Sequence, residues 1–475
     1  MDKSIGKNYF YNLIYQITVI LIPLITIPYI SRVLGSTGIG INSFTNSVTQ
    51  YFIFAGTLGI GIYGNRTIAT VRDNKEKCRT TFWEITILQI TTCLISFLIY
   101  IAIFGFNNRY SLYYLMQSIF ILASAIDITW YFIGIEDFKK ASLRSTVIKL
   151  VSVVAMFIFV KDFEDLWKYI FINSFFMFVG QSIMWFYVDK NFFKLKYIKN
   201  IKIIKHLKPA IYLFIPQMAT QVYMVLDKTM TGILANESEV GFYDNSQKIM
   251  RLSLAIVTSL GMVMLPRIAN LHSTGDIDKM KESLKKAFQF MTLAALPILF
   301  GLIGISDNFV PWFFGEEFIS VALLMKISSG MVLVIAWGNV FGTQYLLALG
   351  KMRAYTTSVI VGAVVNFCLN LILIPRLYAL GAVIATLLAE TVIASIQLYS
   401  SREVVTKEWF LSGWRYWISA ITMFWGVNAA GNMVSASMLG TLIQVLVGVI
   451  IYLIILILLK DELIYTVLKK IKVNK

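Results

Sequence analysis

Residues 209–267, PAIYLFIPQMATQVYMVLDKTMTGILANESEVGFYDNSQKIMRLSLAIVTSLGMVMLPR, hold two apolar segments joined by a short acidic turn, and both segments carry charge. The first ends in Leu226-Asp227-Lys228; the second bears Lys248 and Arg251. Asp and Lys each cost roughly 2.5 to 3.5 kcal/mol at the centre of a membrane helix, so such groups face a bundle interior or a wet cavity rather than lipid. Pro209 and Pro216 remove backbone donors and let the first segment bend. Asp227 and Lys228 are neighbours, point about 100° apart and need separate partners. Lys248 and Arg251 share a helical face, where two cations repel unless an anion or a carboxylate stands between them. A diphosphate meets that need, with Arg as a planar fork and Lys as a point charge. Asp227 and Asp244 meet it equally well, Asp244 being four residues from Lys248.

Composition extends this reading to the whole chain. Its 475 residues are 57% hydrophobic and 14% charged, with a mean hydropathy of +0.72, which one soluble core does not accommodate. The net charge of +16 is confined to particular loops, with no basic face interleaved with aromatics, so nucleic acid is excluded as a partner. The run 9–30 is too long for a cleaved signal and lacks a small-residue cleavage site, so it reads as a first span. Cys78, Cys93 and Cys368 form no close pair and imply no disulfide framework.

An all-α integral membrane protein follows. Segments of about 20 apolar residues span a core of ~30 Å, and fourteen are expected, at 9–32, 40–64, 82–104, 111–135, 143–161, 166–188, 209–234, 241–266, 287–305, 318–347, 356–374, 379–400, 416–434 and 440–459. With both termini cytoplasmic, 32 of the 42 Lys and Arg residues fall on the cytoplasmic side and 5 opposite, which fixes the orientation. The expected organisation is an N-terminal lobe at 1–188, a cytoplasmic linker at 189–208, a C-terminal lobe at 209–400, and two further spans with a tail at 401–475. The linker reads either as an amphipathic helix on anionic lipid or as a plain basic loop. The outer loops are short, the longest near 306–317. A weak internal repeat relates the lobes: Gly40 precedes Arg66 by 26 residues as Gly241 precedes Arg267, and Tyr131 precedes Lys139 by eight as Tyr345 precedes Arg353.

Enzyme motifs fail. GIGIYG at 59–64 matches a dinucleotide pattern but lies inside a span with no strand before it, where close helix packing explains it better. Asp276 and Asp278 form a lone pair in a solvated loop, no Walker A motif exists, and His206 and His272 lack metal-spaced partners, so no metal or bound cofactor is expected. In the fourth expected span, Asp127, Trp130, Tyr131 and Gly134 recur at helical spacing on one face. Asp127 is either a proton or cation site or the partner of Lys149 in the next span. Later spans hold Lys326, Asn339, Gln344, Asn366, Asn370 and Glu390, which serve helix-to-helix bonds as readily as sugar hydroxyls.

Four stretches together resemble the oligosaccharide-lipid flippases of the Wzx type, in the superfamily that includes the multidrug and toxic-compound exporters. They are IPYISRVLG at 27–35 with Gly38-Ile39-Gly40, DITWYFIGIEDFK at 127–139, LDKTMTG at 226–232 followed by VGFY at 240–243, and Leu265-Pro266-Arg267. The resemblance implies a fold like that of the toxic-compound exporters: two six-helix lobes around a cavity plus two C-terminal helices, alternating between inward-open and outward-open forms. It implies a polyprenyl-diphosphate oligosaccharide as cargo, the repeat unit of a capsule or other surface polymer, moved across the cytoplasmic membrane. On that reading Lys149, Lys228, Lys248, Arg251, Arg32 and Lys326 meet the anion. Asp127, Asp227 and Glu390 couple transport to H+ or Na+. A polysaccharide polymerase and export machinery are the expected partners of a monomeric carrier. A drug or cation antiporter on the same fold is the rival, but it favours an anionic cavity. A membrane polymerase needs a large polar outer loop, which is absent.

Overall fold

The computed structural model describes residues 2–197, 201–461 and 463. Lys199, Lys469, Lys470, Lys472 and Lys475, counted above among the basic residues, lie outside the described residues, as do the side chains of Lys3, Lys7 and Pro216. Among the described residues every regular element is helical, and ten stretches are long and apolar enough to cross a membrane. The outward faces agree with a lipid setting. In the helix Met438–Leu458, Leu446 and Ile450 are exposed while Thr441 and Gln444 are buried, the reverse of a water-soluble helix. The chain is a multi-pass membrane protein that divides into two compact units, Met1–Thr229 and Met230–Lys475.

The first unit contains α1 (Asp2–Thr57), α2 (Ile60–Val71), α3 (Lys75–Phe104), α4 (Ser111–Ala125), α5 (Thr129–Gly134), α6 (Phe138–Phe159), α7 (Leu166–Trp185) and most of α8 (Ile204–Leu234). α1 is broken at Gly35, whose φ of 62° and ψ of −178° suit glycine alone, and this break separates the first two expected spans. A second turn, at Leu58 and Gly59 with φ 46° and 69°, starts α2. Asn74 caps α3 by accepting the N–H of Lys77 at 3.0 Å.

The segment after α7 is not a continuous amphipathic helix. It forms two 3₁₀ turns, Lys190–Phe193 and Leu195–Tyr197, strapped to α3. Trp83 Nε1 donates to the Phe192 carbonyl at 2.6 Å, Arg79 donates to the Tyr197 hydroxyl at 3.2 Å, and the Lys202 N–H donates to Glu84 at 2.9 Å. Phe192 is buried in an aromatic cluster with Phe82 and Trp185 close by, so that ring faces the protein, while Phe193 stays exposed.

The second unit contains α9 (Glu237–Ser273), α10 (Ile277–Phe314), α11 (Ser320–Ser328), α12 (Gly330–Gly338), a π-helical stretch (Asn339–Leu347), α13 (Met352–Leu377), α14 (Ala379–Ser400), α15 (Lys407–Ser412), α16 (Trp414–Met433) and α17 (Met438–Leu458). The expected outer loop near 306–317 is mostly helix, because α10 continues to Phe314 and stops at Gly315 with φ 108°. Every one of the fourteen expected segments overlaps a helix. The ten apolar stretches are fewer because Leu21–Val71 joins two of the fourteen, while α8, α9 and α16 are not among the ten. In α9 Asp244, Lys248 and Arg251 interrupt the apolar run, and in α8 the side chains at 215–224 lie outside the described residues. Tyr131 and Tyr345, matched in the repeat, each stand beside an irregularity: a break between α4 and α5, and the π-helical stretch.

Candidate functional site

The site in the first unit is organised by the break in the fourth expected span. Residues Ile126, Asp127 and Ile128 leave the helical path, and Asp127 Oδ1 accepts the Thr129 N–H at 2.8 Å, the local turn that Asp offers in competition with helix. Asp127 therefore stands in the break and does not share a helical face with Trp130, Tyr131 and Gly134. A break at membrane depth frees carbonyls that lipid cannot satisfy. Gln89 of α3 donates through Nε2 to the Ser124 carbonyl at 2.6 Å and the Asp127 carbonyl at 3.0 Å, while its Oε1 accepts Trp130 Nε1 at 2.9 Å. Trp185 Nε1 donates to the Ile126 carbonyl at 2.9 Å. Small residues then let α5 approach α2: a Cβ at Gly64 would fall 2.7 Å from the Trp130 indole, and one at Gly134 2.8 Å from Ile68. The glycine pattern at 59–64 is thus partly packing, partly the Gly59 turn.

Beside the break lies a cavity of about 450 Å³ whose polar lining includes Asp127, Thr129, Arg144, Lys149, Asn173 and Gln181. Arg144, only 8% exposed, donates through Nη1 to Gln181 Oε1 at 3.0 Å and through Nη2 to Thr129 Oγ1 at 3.4 Å. Gly180 makes room for it, since a Cβ there would lie 3.3 Å from Nη1. Lys149 and Asp127 both line the cavity, half-buried, yet they form no ion pair with each other among the described residues. The cavity thus pairs a fixed guanidinium fork and an ammonium with one carboxylate and two side-chain amides. That set suits an anion and neighbouring hydroxyls. Sequence reasoning missed Arg144, counting it among loop cations. Its signal was available: Arg144 and Lys149 both fall in the first turns of the same expected span, 143–161.

The other expected site residues are dispersed. Asp227 is buried in α8, two residues before Thr229, whose hydroxyl bonds the Ser47 hydroxyl at 2.8 Å and the Tyr51 hydroxyl at 3.0 Å. Lys228 is half-buried and Arg32 is exposed on α1. In the second unit Lys248 is paired with Asp244 at 2.8 Å, the carboxylate partner left open by sequence, and also donates to Asn245 at 3.1 Å. Arg251 is exposed. Lys326 is paired with Asp307 at 2.6 Å in a place where Asp307 is 66% exposed. Glu390 is half-buried in α14. Asn366 and Asn370 are fully buried and bond each other at 3.0 Å one turn apart on α13, and Gln344 donates to Asn339 at 3.1 Å within the π-helical stretch, so each pair is bonded inside its own helix.

A second buried cluster was also missed. Glu84 of α3 accepts the Lys205 ammonium at 2.6 Å and His206 Nε2 at 3.0 Å, and His206 Nδ1 lies 2.5 Å from the Tyr63 hydroxyl. The carboxylate acceptor assigns the proton of a neutral His206 to Nε2, so Tyr63 donates to Nδ1. Burial pushes the His206 pKa below its ordinary value, against the opposing pull of Glu84. No group of three or more metal-ligating side chains occurs among the described residues.

The arrangement of spans, broken helices and charged cavity defines a multi-span carrier fold. The chain superposes on a lipid II flippase in an inward closed conformation with a TM-score of 0.74 at 14% identity, over 94% of this chain and 99% of that one. It matches an inward-facing multidrug resistance transporter of the MATE family with a TM-score of 0.59 at 12% identity, over 81% and 97%. Residues 5–272 match the polysaccharide biosynthesis protein family, and the chain belongs to that family. A relative from Shigella dysenteriae, named as an O-antigen transporter, is 23% identical over 384 residues, which is 80% of this chain and 95% of that protein.

Proposed function

We propose that the chain flips polyprenyl-diphosphate-linked oligosaccharide repeat units across the cytoplasmic membrane by alternating access, for surface polysaccharide export. Membership of a polysaccharide biosynthesis family and a relative named for O-antigen transport support the cargo class. The observation that carries the reading is the cavity where Arg144 and Lys149 converge beside the broken helix. A drug-cation carrier gains little from two cations in its cavity; a diphosphate headgroup gains two charge-assisted partners, while the polyprenyl tail stays in lipid. Asn173 and Gln181 supply amides for sugar hydroxyls. Asp127, in the same cavity, is the proposed coupling group for H+ or Na+, since a change in its charge alters the field at both cations. Asp227 and Glu390 are further candidates for coupling, and Lys228, Arg251 and Arg32 for later contacts with the cargo. Both termini are placed in the cytoplasm, and a polymerase and export machinery are the partners that such a carrier would feed.

Proteoliposomes loaded with a fluorescent polyprenyl-diphosphate glycan test this. A charge-assisted hydrogen bond is worth about 1.5–3 kcal/mol, so Arg144→Gln with Lys149→Ala should slow transfer by roughly 10- to 100-fold. Unchanged transfer in that double variant removes the proposed anion site. Export of an organic cation by wild-type protein that moves no glycan overturns the cargo.

A further inference from the structure

We propose that the first unit carries a second site, for the phosphate of a lipid headgroup, between α2 and the start of α8. A cavity of about 560 Å³ lies there, with Arg66 and Thr70 of α2 on one wall and Lys208 and Tyr212 of α8 on the other, and Tyr63 between them. Among the described residues no carboxylate lines it. Arg66 and Lys208 are both exposed, and neither makes an ion pair among the described residues. The neighbouring acid, Glu84, is already engaged with Lys205, His206 and the Lys202 N–H. Two uncompensated cations facing one hollow therefore lack the anion that would neutralise them. A tetrahedral phosphate fits that deficit, taking the Arg66 fork on one side and the Lys208 point charge on the other.

Two features separate this hollow from ordinary basic loops. Its walls are fixed to each other: Tyr63 of α2 is held by His206 of α8, and His206 is held in turn by buried Glu84. Gly59, at φ 69°, lets α8 approach closely, since a Cβ there would lie 3.2 Å from Phe214 Cα. Fixed walls set the spacing of the two helices that carry the cations, which lowers the ordering cost of binding between them. The surroundings are also apolar and outward-facing. Tyr212 is 79% exposed, and Ile62 of α2 and Ile204 and Ile211 of α8 are exposed as well. Exposed aromatic and aliphatic groups next to cations at the end of a span mark headgroup depth, which favours a lipid-borne phosphate over a free one. The inference rests on this geometry and holds whatever cargo crosses the protein.

Native mass spectrometry of the full chain released from detergent tests it with three probes: phosphatidylglycerol, a polyprenyl diphosphate, and a neutral glucosyl diacylglycerol. Arg66→Gln with Lys208→Gln should reduce retention of a phosphate-bearing probe by about tenfold or more and leave the neutral glycolipid unchanged. Loss confined to phosphatidylglycerol assigns the site to bulk membrane lipid; loss confined to polyprenyl diphosphate assigns it to cargo capture; loss of both keeps a shared phosphate site. Arg66→Lys with Lys208→Arg, which keeps the charge, should retain most of the binding. Wild-type retention of both phosphate lipids in the Gln variant overturns the proposal. So does equal loss of the neutral lipid, or equal loss in the charge-preserving pair.

Discussion

Replacing Gln89 with Leu tests whether the broken helix is held by hydrogen bonds rather than by shape. Leu keeps nearly the volume of Gln but removes the donor to the Ser124 and Asp127 carbonyls and the acceptor for Trp130 Nε1. Gln89 is 4% exposed, so water does not replace these partners. In membranes a side-chain hydrogen bond averages about 0.6 kcal/mol, whereas a buried polar group left without any partner costs about 1–3 kcal/mol. Three lost bonds bracket the effect at roughly 2 to 6 kcal/mol, toward the upper end because the indole N–H has no second place to go. For a unit of this size each kcal/mol shifts the melting temperature by about 2–4 °C, so Gln89→Leu should melt roughly 5–20 °C lower. Tryptophan fluorescence of the purified protein during heating reports both the melt and the altered setting of Trp130. Because the break also positions Asp127 beside Arg144, glycan transfer at a temperature below the melt should fall as well. A variant that melts within 2 °C of wild type and transports at the wild-type rate would refute the account of the break.

Other outcomes follow from the same contacts. Gly64→Ala pushes a methyl into the rigid, buried Trp130 ring, and overpacking of this kind costs about 1–3 kcal/mol, read as a lower melting temperature. His206 is held below its ordinary pKa by burial, so its contribution to stability is complete above about pH 6.5 and is lost as pH falls through the lowered folded value. The wild-type melting temperature should therefore drop between pH 7 and 5 more steeply than that of His206→Gln, with the melt recorded at each pH; parallel curves would contradict it. Lys326→Ala removes a partly exposed pair with Asp307, worth about 0–1 kcal/mol, and should leave the melting temperature within about 4 °C and transfer within about twofold of wild type.

The sequence by itself determined that this chain crosses a membrane many times as helices, because apolar length and the placement of Lys and Arg are properties of the chain read one residue at a time. Each expected span overlaps helix for that reason. It also singled out Asp127, Lys149 and Lys248 as charges that need an explanation. What those charges do depended on distances that no spacing encodes. Lys248 was resolved by an i,i+4 neighbour, Asp244, which sequence had offered as one of two answers. Lys149 had an equally plausible partner in Asp127, yet the break at 126–128 turns Asp127 toward its own Thr129 N–H and leaves the two on one cavity without an ion pair. Arg144 and His206 read as loop residues because they flank apolar runs. Only the packing of α7 against α6 buries the first on Gln181, and only the approach of the start of α8 to α3 sets the second on Glu84. Local pattern specifies where helix forms and which face is apolar; which polar groups meet is decided by contacts as far as 182 residues apart in the chain.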